Sequence, residues 1–128
     1  AGINTINPLA VVERYNVFST TESYLISLKH PGVRLDNVEV NKELTYLISN
    51  KLSSFIKRLR WIGFNHGDAK SSNFFLSEHK LYAFDLDIAR KRSIKFILKH
   101  KVDKDIKRIL KSFENNLRLK DSLLRRLN

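Results

Sequence analysis

Between Asn41 and Gly63 the sequence carries one unbroken apolar stripe. Leu44, Leu47, Ile48, Leu52, Phe55, Ile56, Leu59 and Ile62 recur at three- and four-residue spacing, while Lys51, Lys57, Arg58 and Arg60 fall elsewhere. Such spacing puts the apolar side chains on one side of an α-helix. Asn41 can cap its start and Gly63 can end it, so the pattern predicts a helix over 41–62. Trp61, at its end, is expected in the core.

The flanking segments have other periodicities. Leu9–Phe18 and Ser23–Leu28, rich in Val, Tyr, Phe, Leu and Ile, read as two strands joined by a turn at Ser19–Glu22. His30-Pro31-Gly32 breaks the second strand. After the long helix comes a polar stretch, Asn65 to Asn73, then two short strands, Phe74–Leu76 and Leu81–Phe84, joined at Ser77–Lys80. Further on, Val102, Ile106, Ile109, Leu110 and Phe113 form a second helical stripe, and Leu117, Leu124 and Leu127 suggest a third. The fold class is therefore mixed, α+β.

Composition narrows the function. There is no cysteine among the 128 residues, which removes disulfides, thiolate metal sites and Cys nucleophiles and fits a reducing compartment. Methionine is absent too, so the chain is expected to be processed or excised from something longer. No apolar run approaches the ~18 residues of a membrane span, and no secretory signal is visible. The net charge of +11 is unevenly spread: 14 basic and 4 acidic residues lie from Arg90 onward, against 10 and 9 before it. A localised basic field suggests an anionic partner, whether nucleic acid, a membrane leaflet or a phosphorylated substrate. A solvated helical tail reads the same way.

The polar stretch holds the chemistry. It includes His66-Gly67-Asp68-Ala69-Lys70-Ser71-Ser72-Asn73, followed twelve residues beyond Asn73 by Asp85-Leu86-Asp87. Phosphoryl transfer needs a carboxylate near the attacking hydroxyl, oxygen ligands for magnesium, and a cation against the moving phosphoryl group. Asp68, Asn73 with Asp85, and Lys70 can supply these in turn, and a hairpin between Asn73 and Asp85 would fold the second metal ligand beside the first. Asp87 can assist at the metal or cap a helix after Ile88, and capping is favoured. His30, His79 and His100 lie at no metal-ligand spacing, which disfavours zinc, and Ser71 and Ser72 have no triad partners.

The pattern His-x-Asp-x-Lys-x-x-Asn, strand pair, Asp-x-Asp resembles the catalytic and metal-binding loops of the protein-kinase-like fold. The resemblance implies Asp68 as catalytic base, Lys70 as the catalytic-loop lysine at base and nucleotide, and Asn73 and Asp85 as magnesium and nucleotide ligands. His66 becomes the structural histidine of that loop. Three more stretches are similar to the bacterial lipopolysaccharide kinases, the Kdo/heptose kinase group: Asn7–Arg14, Ser23–Ile26 and Tyr82–Arg90. Two features depart from the wider pattern, since Gly67 stands where eukaryotic protein kinases have Arg and Asp85-Leu86-Asp87 replaces Asp-Phe-Gly. With glycines only at 2, 32, 63 and 67, no G-x-G-x-x-G can be written, and no lysine precedes Lys29.

The chain thus resembles one partial kinase-like domain that starts within its N-terminal lobe. Residues 1–28 are expected to be the remaining N-lobe strands, 29–40 the hinge and 41–128 the C-lobe, with a basic helical end from 90. The implied activity is transfer of phosphate from ATP, with Mg2+, to a hydroxyl of a lipopolysaccharide core sugar. The implied setting is cytoplasmic, peripheral on the inner face of the cytoplasmic membrane. The alternative is an inactive kinase-like remnant that binds an anionic membrane or nucleic acid through its basic helices.

Overall fold

The long apolar stripe organises the computed structural model, which describes residues 4–29 and 31–127. Helix α1 runs Lys42–Trp61, with Asn41 Oδ1 accepting from the Leu44 N–H at 2.8 Å. Gly63, at φ +80°, turns the chain out of the helix in a region closed to most side chains. Ile48, Leu52, Phe55, Ile56 and Leu59 are all buried. Trp61 is not: it is 83% exposed. Two residues past Leu59, it projects from the side of the helix opposite the stripe, so expecting it in the core was wrong.

Two more helices complete the buried layer. α2 (Lys95–Lys111) contributes Leu98, Val102, Asp105 and Ile109, and α3 (Leu117–Leu127) contributes Leu119 and Leu123. The expected stripe on α3 is offset, because Leu117 and Leu124 are largely exposed. α3 is also fixed by polar contacts. Ser122 Oγ lies 2.8 Å from Ser49 Oγ, Arg126 Nε donates to that Ser49 Oγ at 3.1 Å, and the Arg126 guanidinium stacks 4.6 Å over the Tyr46 ring.

The strands form three small antiparallel sheets. In the first, β1 (Pro8–Tyr15) pairs with β2 (Thr20–Ser27). The turn falls at Asn16–Ser19, earlier than expected, because Asn16 Oδ1 accepts from the N–H groups of Phe18 and Ser19 at 2.9 and 2.8 Å. In the second, β3 (Val33–Arg34) pairs with β5 (Phe74–Ser77), which pairs with β6 (Lys80–Ala83). Glu78 and His79, at φ +47° and +60°, form the two-residue turn between β5 and β6. In the third, β4 (Phe64–Asn65) pairs with β7 (Arg90–Lys91). The N-terminal segment reaches the second sheet, where Asn4 O accepts from Ala83 N–H at 3.0 Å.

The core is where α1, α2, α3 and the β5–β6 hairpin meet. Phe74, Leu81 and Ala83 join Leu52 and Ile109 there. Both faces of β1 are exposed, with Leu9, Val11 and Val12 each at least half open. Asp87 caps no helix, since α2 starts only at Lys95 with Ile94 before it. The chain between holds β7 instead, and the Asp87 carbonyl accepts from Arg90 Nη1 at 2.8 Å. His30 lies outside the described residues.

This packing separates two classes of apolar residue. Leu52→Ala is expected to cost about 2–5 kcal/mol in denaturant unfolding, and Val11→Ala within roughly 0.5 kcal/mol. Equal losses would contradict the division between buried helical layer and open hairpin.

Candidate active site

The polar stretch that follows β4 is held from below by a buried acid. Asp105 is 1% exposed, in the middle of α2. Its carboxylate accepts from the His66 N–H at 2.8 Å and from the Gly67 N–H at 3.0 and 3.1 Å. Arg108 Nη1 stands 4.0 Å from it. Ser112 adds a second tie, its Oγ accepting from the Ser71 N–H at 2.9 Å while donating to Ile109 O. Neither residue was among the sequence candidates. Asp105 had a signal, since it falls between Val102 and Ile109 on the buried stripe, where an acid needs partners.

Gly67 is required by space as well as by backbone. At φ +91° it lies under Ile88, and a Cβ there would come within 2.8 Å of Ile88 O. Its neighbour His66 is fully buried between Phe55 and Phe74, with ring centroids 6.2 and 5.4 Å away. Nδ1 accepts from the Asp68 N–H at 3.4 Å, and Nε2 has no partner among the described residues. Burial holds the imidazole below its ordinary pKa, against the opposing pull of Asp105. His66 is thus neutral at pH 7 and structural in position.

The hairpin brings the second half of the motif back to the first. Asn73 closes a short 3-10 turn, Ser71–Asn73, and its carbonyl accepts from Phe84 N–H at 3.1 Å. That bond sets Asp85 beside Asn73. Asp85 itself adopts φ +57°, a left-handed conformation that Asp tolerates better than most residues. Asn73 Nδ2 then donates to three oxygens: Asp68 O at 2.9 Å, Asp68 Oδ2 at 3.1 Å and Asp85 Oδ2 at 3.3 Å. Lys70 Nζ stands 2.7 Å from Asp68 Oδ2. The hydrogen bond from Lys70 is the main reason the Asp68 carboxyl sits below its ordinary pKa, although desolvation opposes it. All four sequence candidates, Asp68, Lys70, Asn73 and Asp85, therefore lie in one cluster.

Chemically this is a pair of carboxylates converging on one buried amide, with a cation on the outer side. The donors are hard oxygens, which suit Mg2+ or Ca2+ rather than a soft metal. Among the described residues no three His, Cys, Asp or Glu side chains group as a metal site. Mg2+ does not require such a group, since it is commonly held by one or two carboxylates together with substrate phosphates.

Two measurements probe this scaffold. His66 has a folded pKa lowered below its unfolded value of about 6.5, so its neutral form stabilises the fold fully above that value. Stability is expected to fall as pH drops from about 6.5 towards the folded pKa, and His66→Gln should remove that part of the dependence in urea titrations. Asp105→Asn leaves one loop N–H facing an amide rather than a carboxylate oxygen, at an expected cost of about 1.5–3 kcal/mol. A neutral effect would mean that Asp105 does not organise the loop.

No family model and no curated protein matches the sequence. Among solved structures, the fold is similar to that of WaaP in complex with acyl carrier protein, with a TM-score of 0.66 at 18% identity. The match covers 97% of this chain and 60% of the WaaP chain, so this chain spans less than two thirds of that structure. At that identity the likeness is one of fold: a mixed α+β chain with three helices and small antiparallel sheets, arranged as in part of WaaP.

Proposed function

We propose that the chain is the catalytic-loop portion of a protein-kinase-like phosphotransferase that moves phosphate from ATP to a hydroxyl, most naturally one on a lipopolysaccharide core sugar. The observation that carries this reading is the convergence of Asp68 and Asp85 on the Asn73 amide. A pure binding module would not need Asp68, Asn73 and Asp85 together. Two likenesses support it: the sequence motifs quoted above, and the fold shared with WaaP as seen in complex with acyl carrier protein. In this reading residues 1–28 are strands of the smaller lobe, 29–40 the hinge and 41–128 the larger lobe.

Each side chain then has a task. Asp68, held ionised by Lys70, accepts the proton of the acceptor hydroxyl as its oxygen attacks the γ-phosphorus and ADP departs. Lys70 can leave Asp68 for the γ-phosphate as negative charge builds there. Asn73 and Asp85 would hold Mg2+ through side-chain oxygens, with the Asn73 amide turned to present its carbonyl. When bound, that ion neutralises charge on the phosphate oxygens. His66, Asp105 and Ser112 touch no reactant and position the loop.

The test is phosphate transfer from ATP by the protein as its native open reading frame encodes it. Asp68→Ala is expected to lower kcat by roughly 10²–10⁴-fold while ADP binding persists. Asp85→Ala should weaken Mg2+-dependent nucleotide binding as well. Because Asp68 titrates below the usual carboxylate range, its acid limb in the rate profile is expected below about pH 4. Unchanged turnover in both variants would rule the mechanism out.

A further inference from the structure

Away from the acid cluster, the end of α1 and the start of α2 meet in an open cleft of about 640 Å³. The Arg92 N–H donates to Gly63 O at 2.8 Å, which ties the two helix ends together across β4 and β7. Two large aromatic side chains line this cleft in the open: Trp61 is 83% exposed and Phe96 79%. Lys57 and Arg60 of α1 surround them, together with Arg92 and with Lys95 and Lys99 of α2. No acidic residue lines the cleft. Among the described residues, neither Lys57 and Arg60 nor Lys95 and Lys99 has an acidic partner.

We infer that this face is a docking surface for an anionic phospholipid bilayer, with Trp61 and Phe96 entering the headgroup region and the surrounding Lys and Arg holding lipid phosphates. Charge complementarity is the first argument, since four exposed cations, Lys57, Arg60, Lys95 and Lys99, and no acid surround the apolar groups, with Arg92 half-buried beside them on Asn65. The amphipathic nature of those groups is the second. Trp belongs at the boundary between headgroups and acyl chains, and Lys and Arg stems lie along apolar surface while their charges reach polar groups. A nucleic acid would also welcome the two rings. The lining, however, offers only these rings, cations, Gly63 and Leu98, with no neutral hydrogen-bonding side chain to hold a base edge, whereas a bilayer asks only for apolar groups among cations.

The basic excess from Arg90 onward thereby divides into parts with different uses. Lys95 and Lys99 act together with Lys57 and Arg60, which lie far earlier in the sequence. Arg118 and Arg125 lie on α3, along a separate cleft shared with Asp121. The inference concerns where the chain docks and does not depend on phosphoryl transfer.

Trp61 is the only tryptophan in the chain, so its fluorescence reports on this face alone. The 128-residue chain is mixed with vesicles of phosphatidylcholine, with and without phosphatidylglycerol. With anionic vesicles the emission is expected to shift to shorter wavelength and to be quenched by brominated acyl chains; with neutral vesicles it should do neither. Lys95→Gln with Lys99→Gln should lower partitioning by roughly tenfold or more, whereas Arg118→Gln with Arg125→Gln should change it less than twofold. All four side chains are exposed, and circular dichroism checks that each variant is folded. Binding without a Trp61 response, or equal loss from the α3 pair, would overturn the inference in favour of diffuse attraction. A Trp61 response to single-stranded oligonucleotide or to an acidic protein, with none to vesicles, would overturn it in favour of that partner.

Discussion

The carboxylate of Asp105 is the contact on which the geometry of the acid cluster rests. Two consecutive N–H groups, those of His66 and Gly67, point down into a helix that has no free backbone acceptor to offer them. Left unpaired, each would carry the desolvation cost of a buried donor. A single carboxylate satisfies both, and its own burial is tolerable only because they do. The dependence is mutual, and it fixes the polar stretch on the most deeply packed part of α2, between Val102 and Ile109. Ser112 repeats the device at the far end of the stretch by accepting from Ser71. The loop thus inherits rigidity from the core without contributing large apolar groups of its own.

Once the loop is fixed, the hairpin decides what faces it. β5 leaves directly from Asn73 and β6 returns through Phe84 to Asp85, so a register shift of one residue would turn Asp85 away. The tight turn at Glu78 and His79 prevents such a shift, because both residues take positive φ in a two-residue connection. The left-handed backbone of Asp85 then aims its side chain across at Asn73. The unusual backbone is placed where it orients a functional group, next to the Phe84 N–H bond to Asn73 O that anchors it.

How much of this the sequence disclosed depended on whether a signal was periodic. The stripe over 41–62, its Asn41 cap and the β5–β6 hairpin were legible because each rests on local spacing. So was the grouping of Asp68, Lys70, Asn73 and Asp85, through their positions around that hairpin. Trp61 was misplaced because it was judged by type rather than by its angle on the helix. Asp87 was misplaced because capping was inferred without evidence that a helix began there, and seven residues including β7 intervene before Lys95. Asp105 was passed over for the opposite reason. Surrounded by lysines, it looks like an ordinary surface charge, and only its place on the buried stripe sets it apart.

The exposed apolar groups have two distinct physical origins, and the difference bears on how they should be understood. In β1 and β2 they are aliphatic and aromatic on both faces, with charges confined to Glu13, Arg14 and Glu22. A two-stranded ribbon cannot bury both of its own faces, so this exposure follows from topology alone. At the ends of α1 and α2 the situation is reversed. Both helices already bury a full stripe against the core, and Trp61 and Phe96 project from sides that could have been polar at no cost to packing. An exposed ring there buries little of its surface against the chain. It lies among cations without acidic partners, the combination that the proposed bilayer contact would use, since a bilayer offers both negative charge and an apolar layer.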